Sequence, residues 1–117
     1  MLFTKILMSI YKNLFDKNQP IVSQTYLNQD DTLSTDNSWV TTGYIEVDGT
    51  EFVLIRDNNT GDKPCIIGYD LNKQKITYSE YNSKKDVTLT SNTEISYIRF
   101  SIHVTENMDN IKLQKVK

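Results

Sequence analysis

The sequence of 117 residues contains no alanine, one cysteine, one histidine, two prolines and four glycines. The lone Cys65 excludes an internal disulfide and a cysteine-built zinc site, and the lone His103 excludes a metal motif with two histidines. The most apolar stretch, residues 1–16, is too short and too polar to span a bilayer, so no membrane span is predicted. The net charge of −2 and the pI near 5.3 argue against a nucleic-acid-binding surface. No cofactor is predicted, because the chain has no glycine-rich phosphate loop.

β-Branched residues are abundant in place of the missing alanine: twelve Ile, seven Val and thirteen Thr make up 32 of the 117 residues. Alanine is the best helix former, whereas β-branched and aromatic residues favour strands. The composition therefore predicts a mainly β protein. The length corresponds to one domain and suffices for a single buried core.

After Pro20 the dominant pattern is alternation of apolar and polar residues, which indicates half-buried strands. Asp48-Gly49 is a strong hairpin signal and predicts a turn between a strand at Ser38–Val47 and a return strand at Glu51–Arg56. Further strands are predicted at Cys65–Tyr69, Ile76–Tyr81, Val87–Leu89, Glu94–Val104 and Ile111–Val116. Seven or eight short antiparallel strands with regular turns predict a β-sandwich of the jelly-roll type.

The segment Glu94–Val104 alternates well enough to predict both of its faces. One face would consist of Ile98, Phe100, Ile102 and Val104, and the other of Tyr97, Arg99, Ser101 and His103.

The first stretch of the chain has a different period. From Met1 to Asp16 apolar residues recur every three or four positions, which predicts an amphipathic helix. An isolated helix of this length is marginal in water, so its apolar stripe needs a partner. We interpret residues 1–12 as an anchor or oligomerisation segment, with packing on the chain's own sheet and a signal peptide as the alternatives. The predicted anchor residues are Leu2, Phe3, Ile6, Leu7 and Ile10.

Several short motifs occur in a familiar order. They are Asn13-Leu14-Phe15-Asp16, Tyr26-Leu27-Asn28, Asp31-Thr32-Leu33, Asn37-Ser38-Trp39, Thr42–Val47, Ile67–Asp70 and Tyr97–Ser101. Together they resemble the carbohydrate-binding-module-like jelly-roll domain of tail and head fibres and baseplate appendages of phages that infect Gram-positive bacteria. The chain departs from the family pattern at Asp31, where the family's G-x-L turn has glycine. It also departs at Glu51–Arg56, where members have a proline- or glycine-rich, threonine-heavy segment.

The resemblance implies a jelly-roll domain over residues 13–117, displayed on the virion surface. It also implies a homo-oligomer, a trimer or a dimer, that is attached to capsid, collar or tail proteins. The implied function is non-enzymatic attachment to host cell-wall glycan. Two alternatives stay open. One is a purely structural capsid or collar decoration or connector without glycan binding. The other is a host-encoded secreted adhesin, which would require residues 1–11 to be cleaved as a signal.

Glycan binding on a β surface needs aromatic rings that stack on pyranose C–H groups and polar groups that meet the hydroxyls. Tyr78 and Tyr81 border a polar, lysine-containing segment, and Tyr97 and Arg99 share a predicted strand face. These four residues form the predicted glycan-binding face.

The other notable side chains have structural interpretations. Trp39 and Tyr44 are further candidates for stacking on a sugar, but both lie in predicted strands, so Trp39 is assigned to the core and Tyr44 to a structural role. His103 ends a strand, and no nucleophile-elbow sequence occurs in the chain, so catalysis is not predicted. The oxygen-rich segment Asp57–Asp62 misplaces the glycine of a calcium loop and has Gly68 where a bidentate Glu is needed. Asp and Asn are ordinary turn residues, and no metal site is predicted.

Overall fold

The computed structural model describes residues 12–57 and 61–116, and it confirms the mainly β class. These residues form seven strands and one 3₁₀ turn at Met108–Asn110, with no α-helix among them. No helix in this described part is long and apolar enough to cross a membrane. The strands are β1 (Ile21–Leu27), β2 (Leu33–Thr42), β3 (Ile45–Ile55), β4 (Ile66–Tyr69), β5 (Lys75–Tyr78), β6 (Asp86–His103) and β7 (Lys112–Lys115).

All seven strands belong to one open antiparallel sheet. Its main order is β1-β2-β6-β3-β7, and β4 pairs with β6 and carries β5 on its other side. The 18-residue β6 is therefore the centre of the fold, since it pairs with β2, β3 and β4. The pairing shows one connected sheet, and the predicted two-sheet sandwich is not confirmed.

The predicted hairpin at Asp48-Gly49 is wrong, because both residues lie inside β3. The two halves of β3 both pair with β6, so the chain continues where a turn was expected. Between the pairs Glu46↔Tyr97 and Gly49↔Ile95, β3 advances three residues and β6 two. The extra residue forms a bulge. Gly49 lies in this bulge with a φ of 153°, a backbone conformation that glycine adopts more easily than other residues. The glycine is therefore explained by a bulge and not by a turn.

The strands predicted separately at Val87–Leu89 and Glu94–Val104 are both part of β6. Between Gly49↔Ile95 and Glu51↔Thr90, β3 advances two residues and β6 five, so β6 bulges outward there. The polar residues between the two predicted segments occupy this bulge and do not end the strand.

Residues 12–16 are not helical, although the apolar period predicted a helix from Met1 to Asp16. The Leu14 backbone N–H donates to the Leu113 carbonyl at 2.7 Å, and Asn13 Oδ1 accepts from the Leu113 N–H at 3.0 Å. Asn13 Nδ2 also donates to the Ile111 carbonyl, and Phe15 is buried. These contacts with the end of the chain fix the backbone in a non-helical conformation. The predicted anchor residues lie within residues 1–11, outside the described residues.

Two apolar clusters lie on opposite faces of β6. The larger cluster receives side chains from β3, β4, β6 and β7, together with Phe15. The smaller cluster contains Leu27, Cys65, Ile67 and Tyr69, with Tyr97 packed against it. The predicted faces of β6 are confirmed for Ile98, Phe100 and Ile102, which belong to the larger cluster. Val104 is wrongly included in that face, because it follows the end of β6 and is exposed.

Candidate functional site

Of the four predicted glycan-binding residues, Arg99 and Tyr81 bond directly to the turn between β1 and β2, residues 28–32. In the strand pairing, Arg99 on β6 is opposite Ile67 on β4, which is opposite Tyr78 on β5. Directly paired residues share a face, and neighbouring strands lie about 4.8 Å apart, so Arg99 and Tyr78 lie on one face about 10 Å apart. The 28–32 turn covers this face, because its residues bond to side chains on β4, β5 and β6.

Arg99 is buried beneath this turn and is bound by its own chain. Arg99 Nη2 donates to Asp31 Oδ1 at 2.7 Å, and Arg99 Nε donates to Tyr69 Oη at 2.9 Å. Tyr69 Oη donates in turn to Asp31 Oδ1, which closes the network. Burial alone lowers the pKa of Arg99, but the hydrogen bonds to Tyr69 and Asp31 outweigh it and raise that pKa. Arg99 is therefore bound to groups of its own chain and holds the turn in place.

Tyr44 lies above Arg99 and forms the centre of an aromatic and cationic group. The guanidinium carbon of Arg99 lies 4.6 Å from the Tyr44 ring centroid. The Tyr44 ring makes edge contacts with Tyr69 at 4.9 Å and with Tyr97 at 6.1 Å between centroids. Lys73 Nζ lies 5.0 Å from the Tyr44 centroid and 5.3 Å from that of Tyr97. Cation–π contacts of this kind fix the positions of the two cations relative to the aromatic rings.

Tyr81 is fixed by the other end of the turn. The Gln29 N–H donates to Tyr81 Oη at 3.1 Å, and the Tyr81 N–H donates to Gln29 Oε1 at 2.9 Å. Lys75 Nζ donates to the Gln29 carbonyl at 2.9 Å and lies 5.0 Å from the Tyr78 ring centroid. Gln29 thus connects Tyr81 and, through Lys75, Tyr78 to the same turn.

The site presents three partly exposed aromatic rings that are held by contacts with neighbouring side chains and with the 28–32 turn. The exposed fractions are 39% for Tyr44, 43% for Tyr78 and 42% for Tyr81, whereas Arg99 is 9% exposed. We call these three residues the tyrosine surface. Each ring is held by a hydrogen bond or a cation–π contact, so little ordering is needed when a ligand binds.

The sequence prediction missed several parts of this site. Tyr44 was given a structural role, but it lies in the short connection between β2 and β3 and is partly exposed, with its ring against the Arg99 guanidinium. Trp39 is buried as predicted. Lys73, Gln29 and Asp31 were not among the predicted site residues, because their contacts depend on long-range pairing. One signal was available in the sequence: Asp31 occupies the position of the glycine in the G-x-L turn pattern that the chain resembles, and in the structure it has a φ of 70°.

The remaining reactive side chains are engaged elsewhere. His103 Nδ1 lies 2.6 Å from Thr105 Oγ1, and His103 Nε2 lies 3.5 Å from Asp62 Oδ2. Cys65 is buried and donates to the Leu27 carbonyl. Within residues 12–57 and 61–116, no three His, Cys, Asp or Glu side chains are grouped to hold a metal ion.

Comparison with protein-family models, with curated proteins and with solved structures found no match to this chain.

Proposed function

We propose that this protein is a non-enzymatic recognition module of a phage particle that attaches to host cell-wall glycan through the tyrosine surface. The observation that carries the proposal is the fixed arrangement of Tyr44, Tyr78 and Tyr81 around one turn. Exposed aromatic rings beside amide and ammonium groups have the chemistry that sugar rings and hydroxyls require.

The display on a virion rests on the sequence resemblance. The β2–β6 and β3–β7 neighbours are non-consecutive pairings of the kind that jelly rolls use, and this supports a jelly-roll-like domain. A single open site of three rings binds weakly, so useful attachment requires several copies held together. We therefore propose a homo-oligomer, a dimer or a trimer, joined to other virion proteins. A structural decoration or connector protein is the competing function.

A binding experiment with the full chain tests the proposal. Purified cell walls from low-GC Gram-positive bacteria are incubated with the protein, and the bound fraction is measured as a function of protein concentration. We expect saturable binding that Tyr78→Ala and Tyr81→Ala each weaken by about tenfold, the effect of losing about 1.4 kcal/mol of stacking. Val116→Ala is the matched control, because Val116 is exposed beyond β7, at the opposite edge of the sheet.

Each outcome bears on one part of the proposal. Binding that survives both tyrosine substitutions would show that the tyrosine surface is the wrong site. A lack of binding to every cell-wall preparation, with the protein folded, would reject glycan recognition and favour the decoration protein.

A further inference from the structure

Two ammonium groups of the described residues lie beside the tyrosine surface, and neither has a carboxylate within ion-pair distance. Lys73 Nζ lies over the rings of Tyr44 and Tyr97, and Lys75 Nζ lies over the ring of Tyr78. Among the described residues, no carboxylate oxygen lies within 4.0 Å of either ammonium. Lys75 donates one hydrogen bond, to the Gln29 carbonyl, and keeps two N–H groups for another acceptor.

The backbone fixes where Lys73 sits. The turn between β4 and β5 is closed by hydrogen bonds from the Lys73 N–H to the Asp70 carbonyl and from the Asp70 N–H to the Gln74 carbonyl, both at 3.0 Å. Lys73 has a φ of 61° in this turn, and its side chain lies over the rings of Tyr44 and Tyr97. The position of this cation is thus built into the turn.

The nearby acids accept hydrogen bonds from groups of their own chain. Asp31 is paired with Arg99. Asp30 Oδ1 accepts from the backbone N–H and the hydroxyl of Thr32, and these bonds lower the pKa of Asp30, with a smaller contribution from the charge of Lys75. Asp70 Oδ1 accepts from two backbone N–H groups of its own turn. The carboxylates therefore shape the turns, whereas the two lysines present their charge beside the exposed rings.

We propose that the ligand of the tyrosine surface is an anionic glycan, whose carboxylate or phosphodiester groups are bound by Lys73 and Lys75. This inference rests on the proposed function and specifies its substrate class. Sugar or polyol carbons contact Tyr44 and Tyr78, while each ammonium meets an anionic oxygen next to the ring that supports it. Glu80, next to Tyr81 along the chain, is exposed and opposes this attraction. The attraction is therefore expected to come from the two lysines and not from the overall charge, and binding should weaken as salt increases because salt screens exposed charges.

The test compares three soluble polymers in binding to the full chain. Polyribitol phosphate supplies phosphodiesters, polygalacturonate supplies carboxylates, and dextran is neutral. Affinity for each polymer is measured at several salt concentrations. We expect at least one anionic polymer to bind about tenfold more tightly than dextran at low salt, with the advantage lost as salt increases.

Three lysine variants locate the charge. Lys73→Gln and Lys75→Gln should each weaken binding of the anionic polymer about threefold or more at low salt, and neither should change binding to dextran. Lys112→Gln is the matched control, because Lys112 is an exposed lysine on β7 at the other edge of the sheet. Circular dichroism of each variant verifies the fold.

The outcomes separate this inference from the proposed function. Preference for one anionic polymer, or for both, identifies the source of the charge and supports the inference. Equal binding to dextran and to the anionic polymers overturns the anionic class and leaves glycan recognition standing. An equal loss in Lys112→Gln also overturns it, because the attraction would then come from overall charge. No binding to the three polymers or to cell walls rejects the proposed function itself.

Discussion

Asp31 combines an unfavourable backbone conformation with the contacts that hold the site. Its φ of 70° lies in the left-handed region, which glycine adopts without cost. Its carboxylate nevertheless pairs with the buried Arg99 and accepts from Tyr69. We predict that Asp31→Gly lowers the free energy of unfolding by about 3 kcal/mol. The loss of the ion pair leaves the Arg99 guanidinium buried without its carboxylate, and this destabilises the protein more than relief of the left-handed backbone conformation stabilises it. Urea unfolding measures this difference, and a variant more stable than the original chain would contradict it.

Cys65 is a buried thiol with low reactivity. It is fully buried, it donates to the Leu27 carbonyl, and burial raises its pKa to about 12. The thiolate is the reactive form, so very little of it is present in the folded protein at pH 8. We predict that an aromatic disulfide reagent modifies Cys65 slowly at pH 8 and rapidly in denaturing urea. Complete modification within seconds in the absence of urea would show that the thiol is accessible.

At the scale of the strands, the sequence was informative about type and poor about boundaries. Alternation identified the faces of β6 around Ile98 and Phe100, because both clusters bury that part of the strand. It failed at Asp48-Gly49, because a local turn signal cannot reveal that both flanking segments pair with the same long strand. The failure at residues 12–16 has the same origin, since hydrogen bonds to the chain end override the helical period.

Arg56 lies directly after β3 and forms a buried ion pair with Glu106. Arg56 Nη1 lies 3.8 Å from Glu106 Oε1, and both side chains are 5% exposed. Arg56 Nη2 also donates to the carbonyls of Asn82 and Lys84, at 2.8 and 2.9 Å. We predict that Arg56→Met and Glu106→Leu each lower the free energy of unfolding by about 3 kcal/mol, since each removes one partner of this buried ion pair.

The double variant should be less destabilised than the sum of the two single variants, because both single variants break the same ion pair. Urea unfolding of all four proteins completes the cycle. Additive losses would show that Arg56 and Glu106 are not coupled.

At the scale of the whole molecule, the candidate site could be predicted only in part. Tyr97 and Arg99 share a face of β6, as alternation predicted. The 28–32 turn that covers this face comes from β1 and β2, about 70 residues away along the chain. No local pattern contains that contact. The sequence therefore named residues of the site but not the turn that organises them, and it could not show that Arg99 is internal.

A shortened protein that begins at Lys12 tests the predicted anchor. Asn13, Leu14 and Phe15 make the contacts that join the start of the described chain to Leu113 and to the larger cluster. A protein that begins at Lys12 keeps all of these contacts and should fold. We predict that the full chain is a dimer or a trimer by light scattering and that the protein beginning at Lys12 is a monomer, because the apolar residues from Leu2 to Ile10 are absent.

Loss of the oligomer should affect the two kinds of ligand differently. Binding to a cell wall engages several sites at once and should weaken at least tenfold, whereas binding to a short soluble glycan engages one site and should not change. Equal masses of the two proteins would contradict the anchor. Equal weakening for both ligands would instead mean that residues 1–11 contribute to the binding site itself.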